Sequence, residues 1–279
     1  YLPDGGFSLY FVALGDTGKG NTGQTQVGAA IAAWCASHPC EFAILLGDNI
    51  YDTGVTGVND PQWQTKFEVP YASVNMPFYA VLGNHDYGGG GTGNEFGKGQ
   101  HQVDYTAVST KWRMPATHYK FSRPGVDFFA ANTNLSMYSM DSAVRSDFAA
   151  WLPASTATWK FALGHHPYLS NGPHGNAGSY DGLPFLPIVN GSGVKKFGDE
   201  RICGQADVYL SGHDHSDQWI VARCGVSSTN PGTELLIAGA GASTSSLPGS
   251  NPRHFQTLEL GFIYVELVNR SFTGTFIGT

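Results

Sequence analysis

The chain has 279 residues, of which 41% are hydrophobic and only 13% charged, and its formal net charge at pH 7 is −7. This balance argues against a nucleic-acid or anionic membrane partner, because no basic field is present to neutralise phosphate groups. No apolar stretch approaches the roughly 20 residues of a membrane-spanning helix. Because a chain of this length can bury one large core, we expect a single domain over residues 1–279.

Apolar, β-branched and aromatic runs alternate with turn residues along the chain, which is typical of an α/β fold. Six runs predict buried strands, at residues 9–14, 41–46, 78–82, 126–131, 160–163 and 207–210. Small and apolar residues at helical spacing predict helices at residues 25–37 and 142–152. Late strands are predicted at residues 218–223, 234–238 and 261–275. Two Gly- and Pro-rich segments, 88–93 and 173–193, are predicted to be mobile surface loops.

The cysteines show neither a C-x-x-C motif nor a Cys/His zinc pattern, so structural pairing is expected. Of the three possible connectivities, we expect the two local pairs, because each closes a short loop near the end of a predicted element. These pairs are Cys35 with Cys40 and Cys203 with Cys224. The chain begins at Tyr1 without a basic and apolar leader, as a mature secreted or periplasmic protein does, although a trimmed chain would begin in the same way.

Five short clusters at predicted strand ends each combine a glycine with a side chain that can bind a metal. They are Gly15-Asp16-Thr17-Gly18, Gly47-Asp48-Asn49-Ile50-Tyr51, Gly83-Asn84-His85-Asp86, Gly164-His165-His166-Pro167 and Gly212-His213-Asp214-His215. Strand ends converge on one edge of an α/β sheet, so these groups can share a crevice. Residues two apart in extended chain face the same side, so His213 and His215 can address one site while Asp214 points elsewhere.

The donors are carboxylates, a phenol, an amide and imidazoles, which suit iron, manganese or zinc rather than a structural zinc site. Any one cluster alone is more often a plain strand-to-loop turn, but five in order favour a functional site. Two other sequence patterns are weaker evidence of function. The segment 15–21 lacks the Lys and Ser/Thr of a phosphate-binding P-loop, and the sequons at Asn134, Asn190 and Asn269 leave glycosylation open.

In this order, the motifs D-x-G, G-D-x-x-Y, G-N-H-D, G-H-x-P and G-H-x-H resemble the signature of the purple acid phosphatases. The length is similar to that of the small, mammalian-type members. The resemblance implies an iron(III) ion and a divalent ion, which is iron, zinc or manganese. It implies that Asp16, Tyr51 and His215 bind iron(III), that Asn84, His165 and His213 bind the divalent ion, and that Asp48 bridges both.

Tyr51 separates this resemblance from the wider metallophosphoesterase family, many members of which carry another residue there; the alternative is a turn aromatic packed on the sheet. His85 and His174 match the outer-sphere histidines that bind substrate phosphate and protonate the leaving group. For His174 the alternative is a solvated loop histidine. His166 stands where small members commonly carry tyrosine, so its role stays open.

The implied fold is a four-layer α/β/β/α sandwich with two mixed β-sheets face to face. The implied activity is acid phosphatase activity, in which a metal-bound hydroxide attacks a small phosphate monoester. We expect a monomer. One alternative is a phosphodiesterase of the same superfamily, which relative rates on matched mono- and diesters would distinguish. Another is a non-catalytic host-interaction protein on this scaffold, which metal analysis with no detectable turnover would favour.

Overall fold

A computed structural model describes residues 6–179 and 191–279, and its strands form two mixed sheets. The first sheet has the order β13-β12-β1-β2-β3-β4 and the second β11-β9-β10-β8-β7-β6-β5. The strands of the first sheet are β1 (Ser8–Leu14), β2 (Phe42–Leu46), β3 (Phe78–Val81), β4 (Trp112–Arg113), β12 (Gly261–Val268) and β13 (Ser271–Gly278). Those of the second are β5 (Tyr119–Arg123), β6 (Val126–Ala130), β7 (Trp159–Leu163), β8 (Val208–Ser211), β9 (Asp217–Cys224), β10 (Thr233–Ala238) and β11 (Arg253–Thr257).

The two sheets pack face to face through aromatic side chains. Phe11 of β1 lies with its ring centroid 5.5 Å from that of Phe128 in β6 and 5.7 Å from that of Phe161 in β7. All three side chains are fully buried, so this layer is the centre of the main core. The hydrophobic burial that stabilises the sandwich therefore fixes both sheets relative to each other.

Helices flank the two sheets. They are α1 (Thr22–Cys35), α2 (Lys98–Tyr105), α3 (Thr133–Met137), α4 (Ser142–Ala154) and α5 (Ser192–Phe197). Helix α1 contacts β12 and β13, and α4 contacts β6, so each lies against a different sheet. The arrangement confirms the predicted α/β sandwich of two mixed sheets with helices outside. Among the described residues, no helix has the length and apolar character that a membrane span requires.

Several boundaries differ from the sequence prediction. Helix α1 begins at Thr22 rather than at residue 25, because the Asn21 side chain accepts a hydrogen bond from the Gln24 backbone and caps the helix. The predicted late strand over 261–275 is the hairpin β12–β13, which turns at residues 269–270. Strands β4, β5 and β11 were not predicted.

The two predicted mobile loops contain local structure where they are described. The first contains the short helical turn Gly89–Gly91. In the second, residues 180–190 lie outside the described part of the chain, residues 173–179 make local hydrogen bonds and one to the distant Asp214, and α5 begins at Ser192. The mobility expected of both segments stays a prediction.

The cysteines form two disulfides, which are the two local pairs that the sequence predicts. Cys35–Cys40 closes the end of α1, and Cys203–Cys224 ties the segment before β8 to the end of β9. The sequons differ in exposure. Asn134 is buried and its side-chain amide donates to the Gly93 carbonyl, Asn269 is half-buried at the β12–β13 turn, and Asn190 lies outside the described residues.

Candidate metal centre

The seven predicted donors stand in loops that follow parallel strands of both sheets. Asp16 follows β1, Asp48 and Tyr51 follow β2, and Asn84 follows β3; His165 follows β7, and His213 and His215 follow β8. Because the two sheets face each other with these strand ends at the same edge, donors that are distant in sequence come together. Three donors have left-handed backbones, with φ of 59° at Asp16, 53° at Asp48 and 72° at His213. Such backbone strain in non-glycine residues is concentrated at functional sites.

Three fully buried or nearly buried donors form one group within the cluster. Metal-ligating atoms of Asp48, His165 and His213 all lie within 4.8 Å of one another. His165 Nε2 is 3.1 Å from His213 Nδ1 and 3.0 Å from Asn84 Oδ1. Imidazole nitrogens and an amide oxygen are therefore aimed at the same small space next to the Asp48 carboxylate.

Tyr51 joins the other donors of the cluster. Its hydroxyl lies 3.0 Å from Asp16 Oδ1 and 2.9 Å from His215 Nε2, and His215 Nε2 is 3.5 Å from the same Asp16 oxygen. The phenol hydroxyl thus lies between a carboxylate and an imidazole, whereas an aromatic ring that only packs on a turn would need no such polar partners. All seven predicted donors meet in one buried or half-buried group.

The charges in this group favour a cation. Burial opposes ionisation of Asp48, but the neighbouring imidazoles, first that of His165, hold its pKa well below the usual range. Burial likewise opposes charging of His165, but the Asp48 and Asp16 carboxylates raise its pKa to about 10. Burial and the same two carboxylates raise the pKa of the Tyr51 hydroxyl. The protein therefore gathers anionic oxygens in a dry place, and the lone pairs of the set fit metal ions.

Contacts on the far side of several donors fix their orientation. His165 Nδ1 lies 2.8 Å from the Leu46 carbonyl oxygen, and His215 Nδ1 lies 3.1 Å from Ser243 Oγ. The Asn84 amide donates to the Gly91 carbonyl at 2.8 Å, which turns its oxygen toward the cluster. Such outer contacts are what orient metal-binding side chains in proteins.

The last residue of G-N-H-D has a role that the sequence prediction missed. Asp86 is fully buried and accepts hydrogen bonds from the backbone of Gly83, Asn49 and Ile50 and from the Gln102 side chain. It ties the loop after β2 to the loop after β3, so Asp48 and Asn84 keep their spacing. Burial, together with the nearby Asp48, raises its pKa to about 6. The signal that could have found it is a carboxylate directly beside two predicted site residues.

His85 and His174 lie at the rim of the cluster. The His85 ring packs 4.3 Å from the Tyr51 ring, its Nδ1 is 2.9 Å from the Asp52 carbonyl oxygen, and its Nε2 is 4.0 Å from Asp48 Oδ2. The His174 ring lies 4.1 Å from that of His213. His166 is buried, with Nδ1 2.9 Å from Thr133 Oγ1, so it lies behind the His213 ring rather than at the rim.

Comparison with known proteins agrees with this fold. Residues 9–217 match the model of the calcineurin-like phosphoesterase family, so the chain belongs to that family. Within the family it is similar to purple acid phosphatases. Purple acid phosphatase 7 of Arabidopsis thaliana is 30% identical over 260 residues, which are 84% of this chain and 70% of that protein. Tartrate-resistant acid phosphatase type 5 of Homo sapiens is 26% identical over 309 residues, with 97% of this chain and 87% of that protein covered.

A solved structure extends the likeness at the level of the fold alone. The structure titled as GAP50, the anchor in the inner membrane complex of Plasmodium, superposes with a TM-score of 0.71 at 22% identity. The match covers 97% of this chain and 84% of that chain. The family model and the purple acid phosphatase relatives, rather than this structure, confirm the family and the resemblance seen in the motifs, and they support a hydrolase.

Proposed function

We propose that the protein is a binuclear-metal acid phosphatase that hydrolyses small phosphate monoesters. One observation carries the proposal: the Tyr51 hydroxyl stands between Asp16 and His215 at the same centre that gathers Asp48, His165 and His213. A phenol at that position is what distinguishes the purple acid phosphatase pattern from a general metallophosphoesterase site. The names of the relatives, purple and tartrate-resistant acid phosphatases, support the same activity.

We assign the donors to two metal ions as the resemblance implies, and their charges agree with that assignment. Asp16 and Tyr51 can both become anionic and, with His215, suit iron(III). Asn84, His165 and His213 would bind as uncharged donors, the two imidazoles having given up their protons, and suit a divalent ion, which is iron, zinc or manganese. Asp48, whose Oδ1 lies 3.5 Å from His165 Nε2, would bridge the two ions. When bound, such a pair supplies Lewis acidity and activates a water molecule near neutral pH or below.

The histidines at the rim handle the substrate. His85 is 22% exposed and its Nδ1 lies against the Asp52 carbonyl oxygen, so its Nε2 can face a phosphate oxygen. His174 lies on the other side of the site, next to His213. We assign to both rings the binding of phosphate oxygens, and to His174 the donation of a proton to the leaving alkoxide oxygen.

We also propose a secreted or periplasmic location, a single catalytic domain over residues 1–279 and a monomer. Two disulfides join all four cysteines, and such bonds persist in oxidising compartments rather than in the cytosol. The negative formal charge of −7 disfavours a nucleic-acid substrate. A small phosphate ester is therefore the substrate class that we assign.

Metal analysis, a visible absorption spectrum and steady-state kinetics on the same preparation test the proposal. We expect iron with a second metal, a charge-transfer band from phenolate bound to iron(III), and a higher kcat/KM on nitrophenyl phosphate than on bis(nitrophenyl) phosphate. Preference for the diester would replace the monoesterase assignment with a phosphodiesterase. Full iron occupancy without a visible band would contradict the Tyr51 assignment, and bound metal without turnover on either ester would contradict the enzyme.

A further inference from the structure

The carboxylate between His213 and His215 faces away from the cluster and toward the segment that carries His174. Asp214 is fully buried, and its two oxygens accept separate hydrogen bonds. Oδ2 accepts from the Ser170 hydroxyl at 2.5 Å, and Oδ1 accepts from the His174 backbone N–H at 3.1 Å. One side chain thus contacts both ends of the turn over residues 170–174.

The same turn lies directly on the Asp214 side chain. A Cβ added to Gly172 would stand 2.1 Å from the Asp214 carboxyl carbon, so only glycine allows this approach. The Gly172 N–H in turn donates to Ser170 Oγ at 2.9 Å. The carboxylate and the turn therefore fit as a single packed unit.

The hydrogen bonds around Asp214 require an acceptor at the position of each of its side-chain oxygens. Ser170 Oγ accepts from the Gly172 N–H and from the Gln218 side-chain amide at 3.0 Å, which uses both of its lone pairs. Its own hydrogen must then be donated, and Asp214 Oδ2 receives it. The other oxygen faces a backbone N–H, which is always a donor. An amide at position 214 would place its NH₂ group against a donor or against a saturated hydroxyl, whichever way it turned.

We propose that Asp214 is the positioning residue for His174. The residue between the proposed metal ligands His213 and His215 thus also sets the position of the proton donor. This inference rests on the proposed function, since it assigns how His174 is held for leaving-group protonation. Because His213 and Asp214 are adjacent, a shift of one is transmitted to the other. The distance between the metal centre and the proton donor is thereby fixed, and the ring centroids of His174 and His213 lie 4.1 Å apart.

The test compares Asp214→Asn with the control Asp217→Asn. Asp217 is also fully buried, three positions further along the chain, and makes none of the described contacts to residues 170–174. Both variants and His174→Ala are assayed on an alkyl phosphate and on nitrophenyl phosphate, with metal content and the visible spectrum recorded. Ser170→Ala is a second probe outside the ligand motif, in case Asp214→Asn folds poorly or loses metal.

We expect Asp214→Asn to lower kcat on the alkyl phosphate by about 100-fold, the scale of misplacing a reacting group by about 1 Å. On nitrophenyl phosphate, which needs little protonation, the loss is expected to stay within about threefold. Ser170→Ala should show the same difference between the two substrates, with a smaller loss of kcat on the alkyl phosphate. Combined with His174→Ala, Asp214→Asn should cause no further loss, because both changes remove one function.

Three results would overturn the proposal. They are an equal loss of kcat on both substrates at unchanged metal content, a full additional loss in the double variant, and the same difference between the two substrates in Asp217→Asn. Hydrogen exchange separates it from the proposed function. Faster amide exchange at residues 170–175 in Asp214→Asn, but not in Asp217→Asn, is expected whatever the substrate is. Unchanged exchange there would refute the positioning role, whereas turnover absent in the wild type would refute only the phosphatase.

Discussion

The two sides of the candidate centre differ in charge although they share one edge of the fold. The Tyr51 side, defined as Asp16, Tyr51 and His215, contains two side chains that can become anionic. The Asn84 side, defined as Asn84, His165 and His213, contains an amide and two imidazoles and no anionic group of its own. Only Asp48 lies between them, with its Oδ1 3.5 Å from His165 Nε2. The difference supports our proposal that the site takes two unlike cations rather than a matched pair.

The two sides also differ in how their donors are held. On the Asn84 side, backbone carbonyls of Leu46 and Gly91 stand behind His165 and Asn84. On the Tyr51 side, a side-chain hydroxyl, Ser243 Oγ, stands behind His215, and Asp16 accepts the His213 backbone N–H. The imidazoles of the two sides thus have different outer supports, a backbone carbonyl behind His165 and a hydroxyl behind His215, which predicts different sensitivity to mutation. The following substitutions, from the largest expected effect to the smallest, test this contrast.

Asp48→Asn is expected to remove the link between the two sides. The neighbouring imidazoles hold the pKa of Asp48 well below its usual range, so the variant loses a full negative charge at working pH. We expect loss of both metals and a fall in kcat of at least about 1,000-fold, because electrostatic stabilisation is often the largest single effect in catalysis. Metal analysis and kinetics check it, with exposed Asp104→Asn as control. Full occupancy by two metals in Asp48→Asn would contradict the bridging assignment.

Tyr51→Phe is expected to act on one side alone. It deletes the hydroxyl that contacts Asp16 and His215, so the visible band should vanish while metal on the Asn84 side remains. Turnover should fall by about 10-fold and not disappear, since removal of one donor leaves the others. Absorption spectroscopy and metal analysis on matched samples provide the measurement. The remote Tyr264→Phe should keep the band, and a band that survives in Tyr51→Phe would place its origin elsewhere.

Gly91→Ala is expected to disturb the Asn84 side and spare the other. A Cβ at Gly91 would stand 2.6 Å from the His85 ring, and the residue has a φ of +93°, so the carbonyl that holds Asn84 must shift. We expect the divalent ion to be lost to chelators about 10- to 100-fold more readily, the usual effect of losing outer support, with the visible band unchanged. Gly90→Ala is a matched control, since Gly90 also has a positive φ of +64° but no atom within 4 Å of an added Cβ. An equal loss of the divalent ion in both variants would mean that backbone strain alone causes it.

Ser243→Ala is expected to give the smallest change, and on the Tyr51 side. It removes the hydroxyl 3.1 Å from His215 Nδ1, so the imidazole becomes freer to rotate. We expect iron retention to weaken by about 10-fold or less and the visible band to shift slightly. Chelator competition followed by absorption measures both. Ser245→Ala is the control, because the Ser245 hydroxyl is buried without a hydrogen-bond partner among the described residues. A larger loss of the divalent ion than of iron would contradict the division into two sides.

The sequence predicted the parts of the molecule that local patterns encode. Continuous apolar runs identified the buried strands β1, β2, β3, β6, β7 and β8, and glycine-flanked donors at their ends identified the cluster. Strands β4, β5 and β11 were missed, and all three are outer strands of their sheets. Strand β4 has only two residues, and β5 and β11 have many exposed polar positions, so no apolar run marks them. The assignment of individual donors to particular metals came from the resemblance, not from any pattern of residues.

The segment around His174 shows why the remainder could not be predicted. Its glycines, proline and asparagine indicate a mobile loop. In the structure, Asn171 is held by Gln218 and Asn251, and Ser170 and His174 are held by Asp214. These partners are 40 to 80 residues distant along the chain. Order that arises from such long-range hydrogen bonds leaves no periodic signal within the segment itself.

The backbone amides that accompany the two carboxylates limit how each carboxylate can bind an ion. One oxygen of Asp16 accepts the His213 N–H at 2.8 Å, and one oxygen of Asp48 accepts the His85 N–H at 2.9 Å. Each hydrogen bond uses one of the roughly four lone pairs of its carboxylate and fixes the orientation of the group, so the remaining lone pairs point in set directions. Calcium, which takes six to eight oxygen ligands, is disfavoured because three of the seven donors are imidazoles. Two ordinary backbone hydrogen bonds thus orient the carboxylates for ions that also accept nitrogen ligands.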